Sequence, residues 1–440
     1  MMGIFLFAVL LGFPIAFTLM AMGLGFGYYA YFDPTKMEHL FDNRIFQLFV
    51  QNTYTVMDNN VLTAVPLFLF MGYLVERAGI VAKLFFAIRL ASHKLPASMA
   101  VAALITCALF STATGIIGAV VTLMGLLAWP AMIKAGYDKK FASGIICSGG
   151  CLGILIPPSI MLIVYSVIAQ LSPLRLFAAA IFPGLMLAGL YIGYAIFRAW
   201  MNPSIAPKPA AEEIPPTAVI MKEVLVSFLP LFSLIILVLG TILAGIATPA
   251  EAAAVGAFGS LVLSYFYKTL KWKNFKESVF LTAKTTAMIM WLFIGSWTFA
   301  SVFSYLGGHE VFEHFFKSLN LQPWQFLVIT QLIIFLLGWP LEWTEILIIF
   351  VPIFLPLVEF FGVNPYFFAM LIALNLQTSF LTPPMAMSAY YLKGVQSKNV
   401  ELMQIFGGIM PFLGIVILAM VLMYLFPGIA LWLPETLFAN

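Results

Sequence analysis

Long runs of apolar residues, separated by short polar stretches, form the main pattern of the sequence. A helix that crosses a bilayer needs roughly 20 consecutive apolar residues. Runs that meet or approach this length predict membrane-spanning helices at 3–31, 60–76, 141–170, 174–200, 222–247, 250–268, 278–306, 364–392 and 403–427. Residues 77–94 place Lys and Arg side chains among apolar ones, which favours an amphipathic helix in the membrane interface.

Two other apolar stretches, 98–130 and 325–357, are interrupted near their middle. The first is broken by Ser111-Thr112-Ala113-Thr114-Gly115 and the second by Gly338-Trp339-Pro340-Leu341-Glu342-Trp343-Thr344. Half of each stretch is only about 15 residues, too short to cross a hydrocarbon layer of about 30 Å. Irregular backbone at membrane depth is tolerated where protein shields it or where it lines a watery cavity. The pattern therefore predicts two re-entrant helical hairpins.

Residues 201–217 contain five prolines and two glutamates, which predicts a solvated cytoplasmic linker near the middle of the chain. The predicted organisation follows from this division. Residues 1–97 form N-terminal scaffold spans with the interfacial segment, and 218–306 form the scaffold spans of the second half. Residues 98–200 form the first core unit (hairpin 98–130, broken helix 141–170), and 325–430 form the second (hairpin 325–357, broken helix 364–392).

Composition narrows the class of protein. Of the 440 residues, 63% are hydrophobic and 9% are charged, and the mean hydropathy is +1.05. Soluble domains carry roughly 25% charged residues, so a soluble enzyme, a nucleic-acid binder and a disordered chain are excluded. The formal net charge of +3 gives no reason to expect a polyanionic partner. We expect an all-α, polytopic membrane protein whose environment is the lipid bilayer.

The chain also matches itself when it is offset by 226 residues. Pro130 then meets Pro356, Pro157-Pro158 meets Pro383-Pro384, and Tyr165 meets Tyr391. We count four spans between the two Pro-Pro helices, so these helices should run in opposite directions. Such inverted repeats are typical of secondary transporters.

Basic residues lie mainly in the predicted loops on one side, which places that side in the cytoplasm. The first hairpin is then expected to enter from the cytoplasm and the second from the periplasm.

The paired prolines predict a break inside each of two helices. Consecutive prolines remove backbone donors and disfavour helical geometry just before them. Freed carbonyls suit Na⁺, and the N–H groups of the following half-helix suit a carboxylate. A kinked helix without a ligand is the alternative, and two breaks at matching repeat positions argue against it. The candidate binding residues are Gly149, Gly150, Gly153, Pro157, Pro158 and Ser159 in the first break, and Thr378, Ser379, Thr382, Pro383 and Pro384 in the second.

The hairpin tips add a second set of candidates. Hydroxyl and carbonyl oxygens bind hard cations, although Ser and Thr at these positions could equally cap their helices. A carboxylate at mid-bilayer costs roughly 2.5–3.5 kcal/mol, so Glu342 and Glu345 are expected to face a cavity, a cation or a partner residue. Whether Glu342 binds an ion or only holds the tip stays open. The tip candidates are Ser111, Thr112, Thr114, Gly115, Gly338, Glu342 and Thr344.

Two other functions remain open on the residues alone. One is a stand-alone ion-coupled carrier of organic anions. The other is an intramembrane enzyme, which is disfavoured because His39, His93, His309 and His314 are all expected in loops. We expect no catalytic residue and no cofactor, with Na⁺ as the coupling ion.

Several motifs resemble a known family, the large permease subunits of TRAP (tripartite ATP-independent periplasmic) transporters. The resemblance rests on Gly153–Ser159, Leu381–Pro384, Ala247–Ala254 and Pro130–Asp138, and it covers nearly the whole chain. It implies a Na⁺-driven, elevator-type importer of small organic acids in the bacterial inner membrane. It also implies two partners, a separate small four-span membrane subunit and a periplasmic substrate-binding protein.

Site roles can be transferred by motif from the same resemblance. Hairpin one with Gly149–Ser159 would form one Na⁺ region, hairpin two with Thr378–Pro384 the other, and the substrate would lie between the tips. The segment Gly338–Thr344 departs from the family pattern, because it is bulkier and more acidic than the tip expected for sialate transporters. This departure argues against sialic acid as the substrate.

Overall fold

The computed structural model describes residues 1–35, 37–207, 216–319, 321–396 and 400–438. Within these ranges the chain forms twenty α-helices and no β-strand. The all-α prediction is therefore confirmed. Residues 208–215, about half of the predicted linker, lie outside the described residues.

The N-terminal region contains five helices instead of the predicted two spans and interfacial segment. A single span over 3–31 is wrong, because the helix stops after Leu10 and restarts at Ile15. Gly12 adopts a left-handed φ of +85° and Pro14 has no backbone N–H, so the intervening turn cannot continue the helix. The helices are α1 (Met2–Leu10), α2 (Ile15–Ala30), α3 (Arg44–Met57), α4 (Ala64–Arg77) and α5 (Ile80–Ala91).

The first core unit follows as α6 (Ser98–Thr114), α7 (Ile117–Lys134), α8 (Lys139–Cys151), α9 (Ile160–Ala169) and α10 (Pro173–Met201). The middle of the chain forms α11 (Thr217–Leu243), α12 (Pro249–Phe266), α13 (Trp272–Tyr305) and α14 (Gly308–Ser318). The second core unit is α15 (Pro323–Leu337), α16 (Trp343–Phe360), α17 (Pro365–Leu381), α18 (Met387–Val395), α19 (Leu402–Leu425) and α20 (Gly428–Leu437).

Seven of the described helices are long and apolar enough to cross a membrane: α7, α10, α11, α12, α13, α16 and α19. The four spans expected between the two Pro-Pro helices are thus all present as α10 to α13. An eighth span is possible if α4 and α5 count as one, although they are bent by 64° at the Ala78-Gly79 break. The α5 helix contacts α6 and α11 and buries Ile80, Leu84 and Phe85 there, so the segment predicted as interfacial packs against protein.

The helix boundaries repeat with the same offset of 226 residues as the sequence. Adding this offset to α7 gives the bounds of α16, and adding it to the first residue of α8 gives the first residue of α17. Both Pro-Pro pairs interrupt a helix and both are joined by a cis peptide bond. The internal repeat and the two broken helices are therefore present in the fold, whereas the opposite orientation of the repeats stays a prediction.

The breaks in the two hairpins are shorter than expected. Ser111, Thr112 and Thr114 lie inside α6, because the Ser111 and Thr112 hydroxyls donate to carbonyls one turn back and leave the helix intact. The helix ends at Gly115, whose φ of +61° favours glycine. In the second hairpin only Gly338–Glu342 is non-helical, and Thr344 is the second residue of α16. The α7 and α16 helices have 18 residues each, longer than the half-length predicted, and re-entrance of the hairpins stays a prediction.

Eighteen of the twenty described helices pack in two groups, and α5 and α14 each contact both groups. One contains α1 to α4 with α11 to α13, and the other contains α6 to α10 with α15 to α20. Within the second group α8 crosses α19 so closely that a Cβ at Gly144 would collide with the Gly408 carbonyl oxygen. This crossing joins the two repeats within the second group, which we call the inner group. The first group contacts them from outside, and we call it the outer group.

Candidate functional site

Both hairpin tips reach one small cavity between the two helix groups. The cavity has a volume of about 120 Å³. Its walls include Gly115–Gly118 from the first tip and Glu342–Thr344 from the second. Ile154 and Phe380 line it from the two broken helices, and Ile160 adds the first residue of α9. The two tips and the two breaks therefore meet at one cavity, whose lining includes the candidates Gly115, Glu342 and Thr344.

The first tip touches the first break through a serine and a glycine. A Cβ at Gly153 would overlap the Ser111 side chain and lie 3.0 Å from the Ser111 carbonyl oxygen. Only a glycine lets the two backbones approach this closely. Ser111 and Gly153 are thus the residues through which the first tip contacts the first break.

The second tip also contacts its broken helix through a glycine and a serine, but the glycine now lies on the tip and the serine on the helix. Here Gly338 lies on the tip and Ser379 on the broken helix, and a Cβ at Gly338 would overlap the Ser379 hydroxyl and lie 3.1 Å from its Cβ. Ser379 is the repeat equivalent of Gly153. The tip partners differ by one residue, because Gly338 is the repeat equivalent of Thr112 and not of Ser111. Neither contact could be recognised before the tips and breaks were brought together.

Serine hydroxyls satisfy one freed carbonyl in each break. Ser159 donates to the Ile154 carbonyl, and Ser388 donates to the Phe380 carbonyl over 2.6 Å. Ile154 and Phe380 are repeat equivalents, and both line the cavity. A carbonyl oxygen has a second lone pair, so these two oxygens can still accept from a ligand. Ser388 was missed by sequence reasoning because its repeat equivalent is not a serine.

Several buried polar atoms around the tips have no hydrogen-bond partner in the described part of the chain. They are the hydroxyls of Thr114, Thr344 and Ser379, the Oε2 of Glu345 and both amide atoms of Gln377. Leaving such an atom unpaired costs about 1–3 kcal/mol. Thr344, Glu345 and Ser379 lie at the second tip or contact it, whereas Thr114 lies at the first. The second tip therefore has more unpaired oxygen atoms with which to bind a cation or a hydrogen-bonding ligand.

Several other candidate residues form hydrogen bonds along their own helices or allow close helix packing. The hydroxyls of Thr112, Thr378 and Thr382 donate to carbonyls three or four residues back within their own helices. Gly149 and Gly150 lie inside α8, not in the break, and a Cβ there would crowd Cys107 and Val121 respectively. Close helix packing accounts for both glycines, and their assignment to the ion site stays a prediction.

The two Pro-Pro pairs differ in exposure. Pro157 and Pro158 are buried, whereas Pro383 is half-buried and Pro384 is exposed. The Pro384 carbonyl accepts a hydrogen bond from the Tyr390 hydroxyl over 3.0 Å. The second break is thus the more accessible of the two.

The outer helix group supplies cavity residues that sequence reasoning missed. Leu69 comes from α4, and Thr285, Met288 and Ile289 come from α13. The long apolar sequence of α13 gives no local signal for such a role. Tyr391 of α18 also lines the cavity, and its match with Tyr165 in the repeat was the one available indication.

The two carboxylates of the second tip face different spaces. Glu342 is the one charged side chain among the described residues that line the small cavity. Glu345 is 6% exposed and lines a neighbouring cavity of about 520 Å³, together with Lys284 of α13. Met288 lines both cavities. Both carboxylates therefore face a cavity, as the cost of exposing them to lipid predicts.

The four histidines lie outside the two hairpin tips and the two broken helices. His39 and His93 lie outside the α-helices, as expected, but His309 and His314 lie on α14, where a loop was expected. The amphipathic sequence of that segment forms a helix instead. No group of three metal-binding side chains occurs in the described ranges.

Comparison with known proteins gives a consistent family. Residues 2–429 match the family model described as "Tripartite ATP-independent periplasmic transporter, DctM component". The C4-dicarboxylate TRAP transporter large permease protein DctM of Pseudomonas aeruginosa is 28% identical over 388 residues, which cover 87% of this chain and 88% of the relative. The sialic acid TRAP transporter large permease protein SiaM of Vibrio cholerae is 30% identical over 385 residues, with coverages of 86% and 87%.

A relative from Oleidesulfovibrio alaskensis, the isethionate TRAP transporter permease protein DctMQ, is 28% identical over 87% of this chain and 59% of its own length. Among solved structures, the YdaH transporter of Alcanivorax borkumensis has a TM-score of 0.63 at 15% identity, with 97% of this chain and 99% of that chain covered. MtrF of Neisseria gonorrhoeae has a TM-score of 0.57 at 13% identity, with coverages of 95% and 94%. At these identities the solved structures support the fold alone.

Proposed function

The chain belongs to the DctM component family of tripartite ATP-independent periplasmic transporters, and on this premise we propose that it imports a small organic acid driven by Na⁺. Its relatives are transporter permeases, not enzymes. It is a multi-pass integral protein of the inner membrane. The intramembrane enzyme considered above is thereby excluded.

The proposal of Na⁺ coupling rests on one observation. Both hairpin tips and both broken helices meet at a single cavity, and buried hydroxyls at the tips lack partners. Oxygen atoms are the ligands that hard cations prefer. Thr114 and Ser111 would hold Na⁺ with the first break, and Thr344 and Ser379 with the second. A cation at either position would satisfy atoms that are otherwise left unpaired.

The substrate class follows from the relatives and from the cavity wall. The relatives named above transport C4-dicarboxylates, sialic acid and isethionate, which are all organic acids. No lysine or arginine is among the described residues that line the cavity. Bound Na⁺ and the free N–H groups at the start of α9, where Ile160 lines the wall, would then compensate the substrate's charge.

The direction of transport follows from charge. Each net positive charge that enters the cell gains about 2.3 kcal/mol per 100 mV of membrane potential. A cycle that carries more Na⁺ charge than substrate charge is therefore driven inward.

We assign movement to the group of α6 to α10 with α15 to α20, past the outer group. In this elevator the tips, the breaks and the bound substrate move together. The contact of Gly72 on α4 with Thr114 on the first tip would then break, because it joins the two groups.

Uptake by proteoliposomes tests the function directly. The chain is reconstituted with its small membrane subunit, the substrate-bound periplasmic binding protein is added outside, and an inward Na⁺ gradient is imposed. We expect uptake that stops when K⁺ replaces Na⁺ and when the binding protein is left out. Uptake that persists without the binding protein would favour a stand-alone carrier, and uptake that ignores Na⁺ would contradict the proposed coupling.

A cross-link tests the movement. A Cβ at Gly72 would lie 3.2 Å from the Thr114 Cβ, near the separation of about 3.5–4.5 Å found in disulfides. Thr114→Cys also removes a proposed Na⁺ ligand, so the double variant Gly72→Cys/Thr114→Cys is assayed at saturating Na⁺ in its oxidised and reduced forms. Oxidation should stop the uptake that the reduced double variant retains. The single variant Gly72→Cys separates crowding from cross-linking. Uptake that continues in the fully cross-linked protein would rule out sliding at this contact.

A further inference from the structure

The strongest unexplained feature of the inner helix group is the side chain of Gln377. It lies in α17 and is fully buried. Neither its Nε2 nor its Oε1 has a hydrogen-bond partner among the described residues. Rotation of the amide would exchange the two atoms but leave the same deficit. Gln377 is therefore a buried group that can both donate and accept, and the folded chain uses neither capacity.

The corresponding position in the other repeat shows that helix packing does not require such a group. Cys151 is the repeat equivalent of Gln377 and is also fully buried. Its thiol donates to the Cys147 carbonyl one turn back, at an S···O distance of 3.2 Å. The first repeat thus has a small, hydrogen-bonded side chain at this position, and the second has a longer side chain without a hydrogen-bond partner.

Gln377 lies close to the candidate site along its helix. Phe380, one helical turn later, lines the cavity, and Ser379 contacts Gly338 of the second tip. The nearby hydroxyl of Thr378 is already bonded to the Asn375 carbonyl. Gln377 is therefore the free amide nearest in sequence to the contact between the second tip and its broken helix.

We propose that Gln377 is a specificity-determining residue that binds the substrate and the coupling cation together. Its Nε2 donates to an anionic oxygen of the substrate, and its Oε1 faces the Na⁺ held at the second tip. A cation alone would leave the N–H donors unpaired, and an anion alone would leave the oxygen unpaired. This inference rests on the proposed function, because it takes Na⁺ and an organic acid as the transported species.

Two substitutions separate the two roles. Gln377→Glu keeps an oxygen acceptor of the same length but removes the donor and adds negative charge. Gln377→Leu removes both capacities at similar size. Ser264→Ala is the matched control, because it removes a buried hydroxyl on α12 that also has no partner among the described residues and lies outside the candidate site. Each variant is assayed as the complete complex with its binding protein.

Na⁺ binding is measured without any substrate. The readout is the difference in Tm between NaCl and KCl at equal ionic strength, which a purely structural loss of stability does not change. We expect a Na⁺-dependent shift for wild type, Ser264→Ala and Gln377→Glu, and a reduced shift for Gln377→Leu. A wild-type shift in Gln377→Leu would overturn the role toward Na⁺.

Anion recognition is measured as KM for uptake, with succinate, isethionate and N-acetylneuraminate as probes. For the anion that wild type takes up, Gln377→Glu should raise KM by about 10- to 100-fold, which corresponds to loss of a hydrogen bond to a charged group. An unchanged KM in Gln377→Glu would overturn the role toward the substrate. If wild type itself shows no Na⁺-dependent shift and no uptake, the proposed function fails instead, independently of Gln377.

Discussion

The contact between Gly338 and Ser379 offers the sharpest test of how the second tip is held. Replacing Gly338 by Ala adds one methyl group where the Ser379 hydroxyl, Cβ and Cα already lie. The backbone of Gly338 has a φ of −63°, which alanine adopts freely. Any effect of the substitution must therefore come from the contact and not from backbone strain.

The size of the effect follows from the distances. The added Cβ would be 3.1 Å from the Ser379 Cβ and 3.2 Å from its Cα. Rotation of the hydroxyl relieves only part of this crowding, so the tip or α17 must shift. Overpacking of this kind costs about 1–3 kcal/mol. If that energy opposes closure of the tip, the affinity for the coupling cation falls by about 5- to 150-fold.

The assay is Na⁺-dependent uptake by the reconstituted complex, measured as the Na⁺ concentration at half-maximal rate. We expect Gly338→Ala to raise this concentration while expression and assembly stay normal. Gly189→Ala is the matched control, because Gly189 lies within α10 and an added Cβ there meets no atom within 4 Å. A Gly338→Ala complex with wild-type Na⁺ dependence would refute the idea that this contact forms the ion site.

Three further substitutions test individual contacts. Pro352 has no N–H, so the Ile348 carbonyl lacks its helical donor and accepts instead from the Ser296 hydroxyl over 3.0 Å. Ser296→Ala removes this hydrogen bond, and Tm should fall by an amount that reflects a loss of about 1–3 kcal/mol in the free energy of unfolding. Asn375→Leu removes two hydrogen bonds to Gln331, of 2.6 and 2.9 Å, and should also lower Tm; an unchanged Tm in either variant would contradict the assigned bond. Thr285→Val removes a hydroxyl from the cavity wall and should raise KM about 2- to 10-fold, whereas an unchanged KM would place the substrate elsewhere.

The sequence was most informative where the chemistry is local. Two consecutive prolines cannot continue a helix, so the breaks at Pro157-Pro158 and Pro383-Pro384 were predictable from the residues alone. The repeat offset then located the corresponding helices. The family followed from motifs at the same breaks, because the residues that interrupt the helices are also those that identify it.

Other features could not be predicted, because opposing local signals competed or because the contacts join residues distant in sequence. The first tip was expected to unwind from Ser111, but Ser and Thr hydroxyls that donate back into α6 let the helix continue to Thr114. The break between α1 and α2 was signalled by Gly12 and Pro14, and the hydropathy of the run concealed it.

The exchange of glycine and serine between the two tip contacts, and the part played by α13, exist only once the helices pack. Met288 illustrates this limit: it lies within a long apolar helix, and only the packed structure brings it to the wall of both cavities.

Hydrogen exchange of the purified complex in NaCl and in KCl tests the central claim most directly. The claim is that the two tips and the two breaks close around Na⁺ at one cavity. It predicts slower exchange in Na⁺ at residues 111–118 and 338–345 and at the breaks 152–160 and 379–387, with little change in α11 and α12. Equal exchange of these four segments in the two salts, with protection elsewhere or nowhere, would contradict the account.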